Sequence, residues 1–221
     1  MGYGIKVLVK GPRACFTRPE MKSERVSYDC ITPSAARGLI EAVYWKPAIR
    51  WRIDSIEVLN EIRFDTFRRN ELGGKLSYRN AKGALKSDRE LYTVATEDRQ
   101  QRATMYLKDV AYVIAAHFDL TDSAGPDDTV EKHYNIALRR LRKGQCFNQP
   151  VLGCREFPAV VELVEEGDAA PVSFYAGSGE RDLGFMLYDI DFDHDMEPLF
   201  YRAVMRDGVI DVAGAAQGVI G

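Results

Sequence analysis

The stretch from Ile31 to Trp51, ITPSAARGLIEAVYWKPAIRW, limits the possible folds more than any other. A helix start, an amphipathic helix, a stop and a strand follow one another with no residue to spare. Thr32 carries a hydroxyl able to cap a helix, and Pro33 suits the first helical position, where its missing N–H costs nothing. Ala36, Leu39, Ile40 and Val43 then recur at i, i+3, i+4 and i+7, which is one helical face. Pro47 disfavours helical geometry at Lys46, so the chain must turn there. Tyr44, Trp45 and Lys46 therefore fall at a helix C-terminus just before a strand, where a side chain can leave the core and reach a ligand. The plainer reading is that Tyr44 and Trp45 close the bottom of the core.

The flanking segments supply the rest of the pattern. Ile5, Val7 and Val9 alternate with Lys6, Leu8 and Lys10, a first strand that Gly11-Pro12 should end. From Arg13 to Asp29 no period is visible. There Arg13, Arg18, Lys22 and Arg25 are interleaved with Phe16 and Tyr28, which suits either a track for phosphates and bases or an ordinary solvated loop. After the central helix, Ile49, Trp51 and Ile53 share a face, and Ile56 and Val58 resume one step out of phase. A bulge or short turn is therefore expected at Asp54-Ser55. Arg68 and Arg69 follow an extended stretch and can contact phosphates, or pair with Asp65 and Glu71.

Residues 72–101, rich in glycine and charge, read as a long flexible insertion with a short strand near 91–94. A strong strand covers Leu107 to Phe118, with Lys108 near its start and His117 near its end. A second helix follows, capped by Asp128 or Thr129 and carrying Val130, Tyr134, Ala137, Leu138 and Leu141 at helical spacing. His133 is expected on its solvated side. A last strand falls within 156–164. This order predicts an α+β chain with a ferredoxin-like (RRM-type) βαββαβ domain over 1–165, carrying the insertion at about 72–101. Segments 172–175, 184–192 and 200–205 predict a small C-terminal β-sheet within 166–212, and 213–221 reads as a disordered tail.

The formal net charge of −3 hides an asymmetry. Residues 1–116 hold 21 of the 30 Lys and Arg against 14 of the 33 Asp and Glu; residues 117–221 hold 9 against 19. The basic half points to a polyanion partner. No apolar run approaches a membrane span, and the N-terminus alternates like a strand, so a cytoplasmic protein is expected. Cys15, Cys30, Cys146 and Cys154 show no metal-binding spacing and read as free thiols. Asp191, Asp193 and Asp195 around His194 are oxygen-rich but lack a calcium-loop signature, so no metal and no cofactor is expected. The Gly177-Ser178-Gly179 loop either lets backbone approach a ligand or is a plain hairpin turn.

The segments ACFTRPEMKSERVSYDCITPSAARGLIEAVYWKP, FRRNE, DVAYVIAAHF, LGCREFPA and RDLGFMLYDIDF carry a resemblance. The chain resembles a CRISPR-associated family of the RAMP superfamily, the fifth Cas family of subtype I-C, from the first strand to about Met205. The resemblance implies an RRM-like domain with an inserted hairpin and a small C-terminal sheet. It also implies metal-independent cleavage of CRISPR repeat RNA. The protein would then stay on the 5′ handle of the guide RNA, beside the backbone and large subunits of a surveillance complex. Transferred residue by residue, it implies catalytic roles for Tyr44 and His117. Where some members carry a Lys directly before that histidine, this chain has Ala116; Lys46 or Lys108 could supply the missing cation. RNA contacts are expected from Arg13, Arg18, Lys22, Arg25, Arg68 and Arg69.

Such cleavage uses the ribose 2′-OH as nucleophile and leaves a 2′,3′-cyclic phosphate and a free 5′-OH. It needs a base, an acid and donors for the charge developing on phosphate. An imidazole suits either proton role near neutrality, whereas a tyrosine orients or donates more readily than it deprotonates. Two other readings compete: a non-catalytic scaffold that caps the 5′ handle, and a ferredoxin-like small-molecule enzyme. The basic half and the missing phosphate-loop and dinucleotide motifs count against the latter.

Overall fold

In a computed structural model, which describes residues 3–21, 23–165, 167–168, 171–192 and 194–221, the chain is built on one mixed sheet with its two longest helices on one face. In chain order the strands and helices are β1 (Gly4–Ala14), β2 (Arg25–Val26), α1 (Pro33–Val43), β3 (Ile49–Val58), β4 (Phe64–Leu72), α2 (Tyr78–Ser87) and β5 (Arg99–Leu120). Then come α3 (Val130–Arg142), β6 (Val160–Leu163), β7 (Glu180–Asp191), β8 (Glu197–Arg206), β9 (Val209–Asp211) and the single turn α4 (Val212–Ala215). Among the described residues the sheet has nine strands in the order β6-β1-β5-β3-β9-β8-β7, with β2 and β4 pairing the far half of β5. At about 3.3 Å per residue, the 22 residues of β5 would span on the order of 70 Å if straight. Its first half forms a ribbon with β4 and its second half lies between β1 and β3.

The central helix forms for the reasons its sequence suggests. The Thr32 hydroxyl accepts from the Ala35 N–H at 3.2 Å, Pro33 takes the first turn, and Pro33, Ala36, Leu39, Ile40 and Val43 form the buried stripe. That stripe and the Ala137 and Leu141 side of α3 cover Ile5, Val7 and Val9 of β1, Trp51, Ile53 and Ile56 of β3, and Ile114, Ala116 and Phe118 of β5. The apolar residues that change phase in β3 do so at a bulge. Ile53 pairs with Ala116 and Ser55 with Ala115, which leaves Asp54 as the extra residue.

Four expectations need correction. Gly11-Pro12 does not end the first strand, because β1 continues to Ala14. Beyond Lys10 only β5 pairs with it, so the missing N–H of Pro12 meets no ladder partner. The insertion holds a ten-residue helix, α2, no strand at 91–94, and the start of β5 at its end. The C-terminal strands do not form a separate small sheet. β9 pairs Asp211, Ile210 and Val209 with Ser55, Ile56 and Glu57, which joins β7 and β8 to the main sheet; residues 172–175 add no strand to it. Nor is the tail shapeless: α4 and a 3-10 turn at Ala216–Gly218 lead to Ile220, which exchanges two backbone hydrogen bonds with Phe200.

Candidate catalytic and RNA-binding site

His117 lies where β5 alternation turns it away from the helices. Its neighbour Phe118 packs on Trp51 and on the His133 ring of α3, with centroids 5.1 and 6.3 Å apart. Phe118 therefore faces the core and His117 faces the open side of the sheet. The bulge brings a partner to it. Asp54, the extra residue of β3, places Oδ1 2.7 Å from the His117 Nδ1, with both side chains partly exposed at 36% and 42%. The carboxylate accepts from Nδ1–H, which fixes the tautomer and leaves Nε2 with a lone pair. On one side the cross-strand partner of His117 is Arg52, ion-paired to Asp119 at 3.1 Å. On the other it is Gly4, whose bare backbone leaves the imidazole uncrowded. An oriented, accessible imidazole beside a guanidinium can move a proton and steady a phosphate.

Tyr44 is placed differently. As the residue that caps α1 it leaves the helix in extended geometry, donating its N–H to the Ile40 carbonyl, and its ring turns inward. The side chain is 2% exposed, and its hydroxyl lies 2.7 Å from the His133 Nδ1. His133 Nε2 in turn lies 3.1 Å from Asp128, and the Arg140 guanidinium sits over the Tyr44 ring while donating to the Val43 carbonyl. Burial raises the Tyr44 pKa, only partly opposed by Arg140, so the phenol is even less prone to ionise than usual. The expectation of a solvated His133 is wrong: it is 2% exposed. Its place at i, with Ala137 and Leu141 at i+4 and i+8, was a legible signal for burial. Tyr44 and His117 thus lie on opposite faces of the sheet, and the fold does not bring them together. Trp45, by contrast, is 53% exposed.

The two candidate lysines lie at different ends. Lys108 is nine residues before His117 on β5, about 30 Å away, and pairs with Asp65 at 3.5 Å. That distance removes it from any site built on His117. Lys46 is exposed in the α1–β3 turn, whose Ala48 and Pro47 carbonyls accept from Thr121, just past the His117 end of β5. Ala116 is fully buried between Ile5 and Ile53, so a cation there would point into the core face, away from His117.

The expected RNA-contacting residues gather at the opposite end of β5, around its junction with β4. Arg13 lies over the Tyr106 ring and Arg18 over the Tyr28 ring, the latter also 3.4 Å from Asp29. Arg25 pairs with Glu71 and Glu156, and Arg69 pairs with the same two carboxylates. These two are tied into the protein, while Arg13 and Arg68 are exposed. Lys22 lies outside the described residues.

A family model described as CRISPR-associated protein (Cas_Cas5), of the Cas5d type, matches residues 4–213. The chain belongs to the Cas5d family. It is 55% identical over 215 residues to a CRISPR pre-crRNA endoribonuclease Cas5d of Mannheimia succiniciproducens, covering 96% of each protein. It is 38% identical over 227 residues to the protein of the same name from Thermus thermophilus, covering 94% of this chain and 90% of that protein. A crystal structure of a CRISPR-associated protein superposes with a TM-score of 0.72 at 26% identity, covering 100% of this chain and 97% of that one. A functionally uncharacterised protein, SMU1763c from Streptococcus mutans, gives 0.68 at 25% identity, with 100% and 98% covered.

Several sequence features of this Cas5d chain now have plain structural roles. The Gly177-Ser178-Gly179 loop is a turn into β7, with both glycines at positive φ and the Gly179 N–H held by Asp207 at 2.8 Å. In the acidic turn His194 Nδ1 lies 2.8 Å from Asp191. Among the described residues no group of three His, Cys, Asp or Glu is placed to hold a metal; Asp193 lies outside them. The four cysteines are free thiols. Among the described residues no helix is long and apolar enough to cross a membrane.

Proposed function

We propose that this chain cleaves CRISPR repeat RNA, as the names of its Mannheimia and Thermus relatives state for them, and does so without metal. The observation that carries the reading is the His117–Asp54 pair on the open sheet face, with Nε2 free to take the 2′-OH proton. Arg52, the cross-strand neighbour, is placed to steady the developing phosphate charge, a role the resemblance left to Lys46 or Lys108. As the 2′ oxygen bonds to phosphorus and the P–O5′ bond breaks, the protonated His117 gives that proton to the leaving 5′ oxygen, which leaves a 2′,3′-cyclic phosphate and a free 5′-OH. The burial of Tyr44 and its bond to His133 favour a structural role for that hydroxyl, tying α1 to α3, over direct contact with RNA.

The order β6-β1-β5-β3, with α1 and α3 on one face, supports a ferredoxin-like βαββαβ unit over 1–165, to which the strands of 166–212 add an extension. The basic end, from Arg13 to Arg69, is where we place the body of the repeat RNA. After the cut the protein stays on the 5′ handle as a cytoplasmic subunit of a type I-C surveillance complex. Purified protein incubated with repeat RNA in EDTA should cut it and leave a cyclic phosphate. Cleavage that needs magnesium, or that proceeds on RNA with a 2′-deoxy sugar at the cut site, would overturn the mechanism. Binding without any cleavage would favour the scaffold.

A further inference from the structure

Among the described residues the N-terminal half of β3 has no strand partner on the side away from β5, because β9 pairs only with Ser55, Ile56 and Glu57. Along that free edge lies a cleft of about 430 Å³, within the ~300–1,000 Å³ usual for ligand sites. Its floor is polar. Arg37 of α1 forms a two-pronged pair with Asp189 of β7 and reaches Glu41 at 3.7 Å. Its mouth combines Arg50 and Arg52, both exposed on β3, with two large aromatics, Trp45 at 53% and Phe192 at 69% exposure. Two exposed aromatics thus share one opening with two guanidiniums. Arg52, which lines the cleft, is also the cross-strand partner of His117, so one strand separates the cleft from the candidate catalytic imidazole.

We infer that this cleft takes one unpaired nucleotide of the RNA, next to the phosphate to be cut, with its base stacked on Trp45 and Phe192. Arg50 and Arg52 meet the adjoining phosphate, and the Arg37–Glu41 floor offers both donors and acceptors to the base edge. Stacking on aromatic faces flanked by cations is how single-stranded RNA bases are held, and an unpaired base is the one that can leave its stack to enter a pocket. A negative phosphate also complements the arginines at the mouth, whereas an acidic peptide would bring no base to stack. The inference rests on the nuclease reading and adds to it a position at which the enzyme reads the RNA.

The test is a cycle between protein and RNA. Repeat RNAs carrying a 2′-deoxy sugar at the cut site and one abasic nucleotide, scanned through the flanking positions, are bound to the parent and to a Trp45→Ala, Phe192→Ala double variant. One abasic position should weaken binding to the parent about tenfold, the scale of a single lost base stack, and that penalty should vanish in the variant. If every abasic RNA suffers the same penalty with both proteins, the pocket is not a base site. Should the double variant melt early, Phe192→Ser alone carries the same cycle, since that ring is the more exposed. Because the readout is binding to uncleavable RNA, a parent that binds but never cuts would overturn the nuclease assignment while leaving the pocket to be judged by the cycle.

Discussion

Two histidine–aspartate pairs lie on opposite faces of the same sheet, and they differ in almost everything but composition. His117 and Asp54 are both partly exposed, and one imidazole nitrogen points to the open face. His133 is buried, with Nδ1 on the Tyr44 hydroxyl and Nε2 on Asp128, so neither nitrogen is left for a substrate. The first pair is the one we propose exchanges protons with RNA. The second is a bridge that ties α3 to the end of α1 and is satisfied in full. A histidine with an aspartate beside it is thus no sign of catalysis by itself; what matters is whether the second nitrogen remains open.

The sharpest way to break this contrast is to remove each imidazole. His117→Ala should bind repeat RNA about as well as the parent and cut it at least ~100-fold more slowly, the scale of one lost acid–base group. Gel-resolved cleavage with saturating protein reads this, and full activity would end the assignment. His133→Ala should do the reverse. It leaves the Tyr44 hydroxyl and Asp128 without their buried partner and opens a cavity, costing about 2–4 kcal/mol. For a chain of this size that is a melting shift on the order of 10 °C, with cleavage by the folded fraction near that of the parent. A stable but inactive His133→Ala would move the catalytic centre to the covered face.

A subtler change tests the orientation of the exposed pair. Asp54→Asn keeps the shape but lets an amide donate to Nδ1, which favours the tautomer with the proton on Nε2. Cleavage should fall about tenfold, with binding and melting unchanged, because only the available lone pair is affected. An equal rate would mean that Asp54 serves the bulge and not the imidazole.

How much of this could be read in advance varies with the range of the interaction. The cap and stripe of α1 and the phase slip at Asp54 depend on neighbours a few residues away, and all appear where the pattern places them. What the phase slip could not reveal is its purpose, since the partner of Asp54 lies 63 residues on. Gly11-Pro12 was misleading because a proline stops a strand only where its N–H is needed, and β1 has one ladder there. The charged neighbours of His133 suggest a solvated side, whereas its spacing to Ala137 and Leu141 marks the buried one. Residues 213–221 read as a tail because alanine and glycine carry no pattern, whereas their anchor at Phe200 is a backbone contact invisible in side-chain periodicity. The cleft beside Trp45 depends on β7 and β8 folding back to α1, which no local signal announces.

Tyr44→Phe is the smallest change and separates the two expectations for that residue most cleanly. If the hydroxyl met RNA, its loss would slow cleavage greatly and leave the melting curve alone. The geometry argues the opposite. The hydroxyl is buried and shared with His133, and its pKa is raised by burial, so it can neither serve as a base nor reach a phosphate on the far face of the sheet. Removing it leaves the His133 Nδ1 without a donor at a cost of about 1 kcal/mol, which lowers the melting temperature by about 2–4 °C in a chain of this length. Cleavage should stay within a few-fold of the parent, since the ring, its contact with Arg140 and the helix end all remain. Calorimetry and a single-turnover assay on the same preparation decide it. A rate loss above ~100-fold with unchanged melting would mean that α1 and α3 open in the RNA complex and deliver Tyr44 to the substrate.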